Sequence, residues 1–343
     1  MKKRSIKIIS GILILIIVIV TIAGGVIYKK FYSPAFPGQK TSYLYIDDVR
    51  NYDRLLSQLT SKGIKDILFF KQLASKMKYP ENIKTGKYRI DSRISYLELI
   101  RMLRNGNQVP VKLTFNNIRR KREFAEKISL QLMFDSSTLL EYLNDSALVA
   151  SLGFDTTTVM TLFIPDTYEI YWNIPVDRFL ERMKKEYKRF WTQERLAKAK
   201  AIPLSPVEVS ILASIVEEET AKKKEFPIVA GLYINRLRKG MFLQADPTVK
   251  FAAGDATLRR ILYHHLEINS PYNTYKYPGL PPGPIRLPSI SAIDAVLNYE
   301  EHNYLYMCAK EDFSGAHNFA VTLKEHHANA RIYQAALNRN NIR

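Results

Sequence analysis

Residues 207–249 read VEVSILASIVEEETAKKKEFPIVAGLYINRLRKGMFLQADPTV, and the rest of the chain is organised around them. The stretch predicts a helix, a turn, a second helix and then an Asp-Pro turn. Stepped at 100° per residue, Val207, Ile211, Leu212, Ile215 and Val216 share one face of the first helix, and Glu219 falls in the middle of that face. An ionisable group therefore stands where the pattern asks for an apolar one. Glu217 points the opposite way and Glu218 sits at the edge. A carboxyl group among aliphatic side chains is partly desolvated, which disfavours the anion and raises the pKa, as a general acid near neutrality requires. The competing reading is a solvated helix. Glu218 and Glu219 precede Lys222 and Lys223 by four residues, the favoured order for surface ion pairs.

The punctuation of the stretch is tight. Pro227 can open the second helix and Gly240 can close it, while Asp246-Pro247 reads as N-cap plus first-turn proline of a short helix ending at Gly254. Four ordered blocks, ASIVEEET (213–220), YINRLRKGMFLQADPTV (233–249), YNTY (272–275) and GLPPGPI (279–285), resemble the MltG/YceG-like endolytic murein transglycosylases. The resemblance implies a catalytic domain over residues 114–343, mainly helical within an α+β fold, with peptidoglycan glycan strands as substrate. It implies Glu219, the glutamate followed by a small hydroxyl residue, as the catalytic acid. It also implies a cleft drawn from Glu217, Thr220, Asn235, Arg236, Gln244 and Asp246, with Thr248, Tyr272, Asn273, Tyr275 and His317. The segment from Gly315 to Phe319 departs from the family's Gly-Gly-His-Thr-Phe-like pattern at Ala316 and Asn318 but retains His317 and Phe319.

At the front, Lys2, Lys3, Arg4 and Lys7 precede twenty uncharged residues, Ile8 to Ile27. Twenty residues at 1.5 Å rise span a hydrocarbon core of about 30 Å. The small-residue cluster Ala23-Gly24-Gly25 lies inside the apolar run rather than after it, which favours an uncleaved anchor over a cleavable signal peptide. The excess of basic residues ahead of the span predicts a cytoplasmic tail over 1–7, a transmembrane helix over 8–27 and the remainder outside an inner membrane, in the periplasm. Residues 28–40, with Pro34, Pro37 and Gly38, read as a linker.

Composition supports a folded exterior: 46% of residues are hydrophobic, with 21 Tyr and 16 Phe. Cys308 is the one cysteine, so no intrachain disulfide forms. The formal charge of +18 suits an anionic membrane surface or an acidic polymer. The basic residues are spread along the chain and no zinc-finger, helix-turn-helix or RNA-binding motif accompanies them, so nucleic acid is not the expected partner. His326 and His327 are adjacent rather than spaced for one metal on a helix, and neither a metal nor a cofactor is expected.

Residues 41–113 predict a small α+β unit: a strand at Tyr43–Ile46, helices at Asn51–Thr60, Ile67–Met77 and from Ser95 to Leu103, and a strand at Val109–Phe115. It corresponds to the LysM-like segment of the resembled family, with Gly86-Lys87-Tyr88 as a shared piece; the alternative is a spacer that touches no glycan. Within the catalytic domain, Pro165-Asp166-Thr167 resembles a family segment that supports the cleft. Ser270 to Pro288 holds six prolines, two glycines and Tyr272, Tyr275 and Tyr277. Such a stiff aromatic loop either walls a sugar site or covers the core. A helix from about Ser291, a strand at Tyr304–Ala309 and a capping box at Thr322 and Glu325 complete the chain.

Cleaving a glycosidic bond needs a proton for the leaving oxygen and something to attack or stabilise the oxocarbenium-like carbon. Glu219 can supply the first, and the residues alone do not identify a second carboxylate. A lytic transglycosylase avoids that need, because the C6 hydroxyl of N-acetylmuramic acid attacks its own anomeric carbon and leaves a 1,6-anhydro end. By resemblance, then, the expectation is an endolytic lyase that cuts nascent strands and sets their length, with peptidoglycan synthases as further candidate partners. A lysozyme-like hydrolase and a non-catalytic wall-binding scaffold remain the alternatives.

Overall fold

The computed structural model describes residues 2–255, 258 and 261–340. Met1, the start of the expected cytoplasmic tail, and residues 341–343, the end of the expected catalytic domain, lie outside the described residues. The chain divides into two compact units, one built from the residues up to Lys112 with Glu169–Ile174, the other from Leu113–Tyr168 and the chain from Pro175 onward.

The first unit begins with a single helix, Lys2–Tyr32. Its apolar section, Gly11–Tyr32, is long enough to cross a membrane, and its large side chains from Ile12 to Ile27 are exposed. The helix outruns the 8–27 span because no breaker precedes Pro34, which disfavours helical geometry at Ser33. The segment read as a linker is not loose. Ala35 and Phe36 are fully buried, and the Ala35 amide donates to the Ile94 carbonyl at 2.8 Å. An antiparallel pair of strands joins Ser42–Ile46 to Gly86–Ile90, and helices Tyr52–Ser61, Ile67–Lys76 and Tyr96–Asn105 cover it. Leu44, Leu59, Phe70, Tyr88 and Leu99 fill the core between them. Gly86 is required where it stands: a Cβ there would lie 2.6 Å from the Gln108 side chain, at a φ of +144°.

The second unit opens with the last two residues of the strand Val111–Thr114, which pairs with Thr167–Ile170. Asp166 accepts from the Thr167 amide at the start of that strand, so the Pro-Asp-Thr segment opens a strand. The centre of the unit is the helix Pro206–Glu219. Ser205 caps it with Glu208 in a reciprocal box and Pro206 occupies the first turn, both favourable at an N-terminus. Every residue from Val209 to Val216 is buried. This corrects the one-face reading, because neighbours enclose the helix on all sides. The Ser210 and Ser214 hydroxyls donate to the Pro206 and Ile211 carbonyls, so both polar residues are satisfied inside. Helices Phe226–Arg238 and Ile290–Leu297 pack against it. Gly231 permits the first of these approaches to Glu300: a Cβ there would lie 2.4 Å from the Glu300 carbonyl oxygen.

A short helix, Asp246–Ala253, ends at Gly254 in the left-handed conformation. The chain closes with an antiparallel hairpin, Tyr306–Ala309 against His317–Ala320, and the helix Leu323–Arg339, which Thr322 and Glu325 cap reciprocally.

Candidate active site

The central helix ends at Glu219, with Thr220 as its extended C-cap. This ending decides where the three glutamates go. Lys222 and Lys223 lie beyond the helix, so the solvated-face reading loses its geometry. Glu218 instead accepts from Arg119 Nη2 and Arg286 Nη1, each at 2.7 Å. Glu217 accepts the Ser289 amide at 2.8 Å and faces Arg286 Nε at 3.7 Å. It therefore holds the start of the Ile290–Leu297 helix and is not among the residues that line the Glu219 cleft.

Glu219 turns the other way, into a cleft of about 210 Å³ lined also by Tyr233, Arg236, Gln244, Asp246, Tyr275 and His317. Met307, Cys308 and Ala309 of the C-terminal hairpin form a further wall. Tyr233 donates its hydroxyl to Glu219 Oε1 at 2.7 Å. Burial pushes the Glu219 carboxyl up to about 7 against the Tyr233 hydrogen bond, which pulls it down; the charge of Asp246 adds to the rise, and Lys250 and Arg236 oppose it. Burial and the Glu219 charge both hold Tyr233 far above its ordinary value, so it remains a donor.

Asp246 does not cap the helix it opens. Ala245 occupies the cap position without a side-chain bond, and Asp246 Oδ1 accepts the Tyr275 hydroxyl at 2.7 Å. Arg236 is buried and held by oxygen acceptors. Its Nε donates to Leu305 O at 2.6 Å, and its Nη1 donates to Phe242 O, Leu243 O and Gln244 Oε1 at 3.1, 2.9 and 3.3 Å. Gln244 sits at a φ of +52°, its amide donating to Thr274 O at 3.1 Å, which turns the chain into the Asp246 helix.

The remaining expected cleft residues stand behind this wall. Thr248 is buried, donating to Ala245 O at 2.7 Å beside the Thr274 hydroxyl at 2.9 Å. Asn273 is buried and donates to Leu266 O and Ile268 O at 2.8 and 2.9 Å, which sets the bend that aims Tyr275. Asn235 donates to His302 O and Tyr304 O at 2.7 and 3.2 Å. Tyr272 packs on Phe251 with ring centroids 4.7 Å apart, away from the Glu219 cleft. The Pro-rich loop thus divides: Tyr275 walls the cleft, whereas Gly283 seals the loop onto the core so closely that a Cβ would meet Thr157 O at 2.3 Å. Thr220 is buried and donates to Glu225 Oε2 at 2.9 Å. Sequence reading missed Tyr233, Glu225 and the hairpin wall. Tyr233 lay within a matched block; Glu225 was hidden at the end of a charge run. Among the described residues no three His, Cys, Asp or Glu side chains gather to hold a metal.

A cleft that pairs one desolvated carboxyl with a phenol donor, a second carboxylate, amide and guanidinium groups and an imidazole can give a proton to, and take one from, a bound polar group. The chain shares 45% identity over 127 residues with the endolytic murein transglycosylase of Bacillus subtilis, 37% of this chain and 34% of that one. It shares 26% over 300 residues with the endolytic murein transglycosylase of Streptococcus pneumoniae, 77% of this chain and 53% of that one. The chain thus spans between a third and about half of the length of these relatives. A crystallised yceG-like protein from Listeria monocytogenes superposes with a TM-score of 0.55 at 25% identity, covering 85% of this chain and 99% of that one. The model of the YceG-like family matches residues 44–332, and the chain belongs to that family.

Proposed function

We propose that the chain is an endolytic peptidoglycan lytic transglycosylase, in which Glu219 protonates the leaving oxygen and the C6 hydroxyl of N-acetylmuramic acid closes a 1,6-anhydro end. The observation that carries this reading is the Glu219 carboxyl, which lines the cleft, is held up to about 7 by burial and is oriented by Tyr233. An acid with a pKa near the working pH is best matched to deliver a proton and then recover it. The names of the relatives support the same chemistry.

The apolar N-terminal helix anchors the chain to a membrane, with its basic end cytoplasmic and the catalytic unit on the periplasmic side of an inner membrane. There it meets nascent strands beside the synthases that make them, and cutting them terminates elongation. The small N-terminal unit serves as a LysM-like glycan contact. It presents Tyr43 and Tyr45 partly exposed on its strand pair, Lys87 Nζ 4.0 Å above the Tyr43 ring and Trp172 edge-on to Tyr45 at 5.1 Å.

Asp246 favours a second reading, a lysozyme-like hydrolase, because it brings a second carboxylate into the cleft. Mass spectrometry of glycan strands digested by the full chain in detergent separates the two. Anhydro ends support the lyase, reducing ends the hydrolase, and binding without product the scaffold.

A further inference from the structure

The turn that follows Glu219 carries a carboxylate that the proposed chemistry has not yet used. Glu225 accepts three hydrogen bonds: the Thr220 hydroxyl at 2.9 Å, the His317 amide at 2.8 Å and the His317 ring Nδ1 at 2.9 Å. Its side chain is 12% exposed and that of His317 15%, so water competes little for either. Burial alone would push Glu225 up, but the His317 and Thr220 hydrogen bonds outweigh it and hold the carboxyl below its ordinary value. It is therefore an anion, and an anion can only accept.

That fixes the ring. Nδ1 must carry the hydrogen, so the lone pair of a neutral imidazole is on Nε2. Nε2 has no hydrogen-bond partner among the described residues, and the ring lines the same cleft as Glu219. Thr220 is the residue after Glu219, so one carboxylate ties the end of the acid's helix to the imidazole. Glu225 and His317, 92 positions apart, are joined directly, as a carboxylate holds a histidine base in hydrolytic triads.

We propose that His317 is the general base of this cleft, taking the proton of the attacking hydroxyl on Nε2, with Glu225 as its positioning residue. The inference rests on the transglycosylase reading above. The bond from C1 of the muramoyl residue to the leaving oxygen breaks, and that oxygen takes the Glu219 proton. The bond from O6 to C1 forms, and the O6 proton passes to His317 Nε2. Turnover ends with a Glu219 carboxylate and an imidazolium, and return of that proton through water restores both. If water attacks instead of O6, the same nitrogen takes the proton from water.

The test uses the full chain in detergent with purified glycan strands, measuring turnover, KM, melting temperature and product ends. His317→Ala should lower kcat by about 10²- to 10⁴-fold with KM little changed. Added imidazole should recover at least about tenfold of that loss, as restored proton transfer would and restored packing would not. His317→Gln, which can still donate to Glu225 but offers no basic nitrogen, should be folded and equally slow. Glu225→Gln should lower kcat less, since the ring is misdirected rather than lost. His317→Gln at the wild-type rate, or a slow His317→Ala unmoved by imidazole, would overturn the role. If the wild type releases reducing ends, the transglycosylase reading falls while the base assignment is still decided by these variants; if it releases no product, both fall.

Discussion

Tyr233 reaches back from the second helix of the core to donate its hydroxyl to Glu219 Oε1 at 2.7 Å. This bond favours the anion and so restrains the rise that burial imposes on Glu219. Removing it with Tyr233→Phe should push the Glu219 pKa above its value of about 7. The proton donor would then survive to higher pH, so the alkaline limb of the kcat profile should move upward in Tyr233→Phe, measured as turnover across pH 5 to 9. A limb that moves downward or stays in place would show that this phenol does not tune the acid.

The same shift predicts a stability effect. Glu219 lies near 4.5 in the unfolded chain and near 7 when folded, so between those values the folded state binds more protons than the unfolded one. Stability should therefore fall as pH rises through that window, by on the order of 3 kcal/mol for a shift of this size. Glu219→Gln removes the titration. Denaturation at pH 5 and pH 8 should show the Gln variant gaining on the wild type as pH rises, and a constant difference would contradict the buried-acid description.

Tyr275 and Asp246 form the opposite wall, joined at 2.7 Å. Tyr275→Phe removes the donor yet keeps the ring, so turnover on glycan strands should fall about tenfold or more while the loss in stability stays near 1 kcal/mol, as for one hydrogen bond. An equally active variant with a lowered melting temperature would make Tyr275 part of the cover over the core.

Local signals in the sequence were readable wherever one residue type has one mechanical use. Gly254 and Gly106 close helices in the left-handed conformation, and Thr322 with Glu325 opens the last one. Periodicity failed on the central helix because Ser210 and Ser214 look solvent-facing, whereas both donate to carbonyls of their own helix. The same failure turned Glu217 away from the buried side without showing its partner, the Ser289 amide 72 residues away. Asp246 before Pro247 carries the local grammar of a cap; the Tyr275 hydroxyl that donates to it is 29 residues on. Glu219 could be singled out by its place in the pattern, but Tyr233 and the Glu225–His317 pair exist as neighbours only after the second helix and the last hairpin fold back.

The orientation of the anchor rests on the basic residues ahead of the span, Lys2, Lys3, Arg4 and Lys7. A reporter enzyme that works only in the periplasm, fused to the C-terminus, should be active. Activity from a reporter that works only in the cytoplasm would overturn both the location and access to the wall.

The most direct test of the mechanism compares Glu219→Gln with Glu217→Gln on purified glycan strands, with products read by mass spectrometry. Gln at 219 keeps the shape and can still accept from Tyr233 but has no proton to give, so anhydro ends should appear about 10²- to 10⁴-fold more slowly. Gln at 217 still accepts the Ser289 amide and should leave the rate near wild type. Anhydro ends released at the wild-type rate by Glu219→Gln, with Glu217→Gln inactive, would contradict the assignment of the acid.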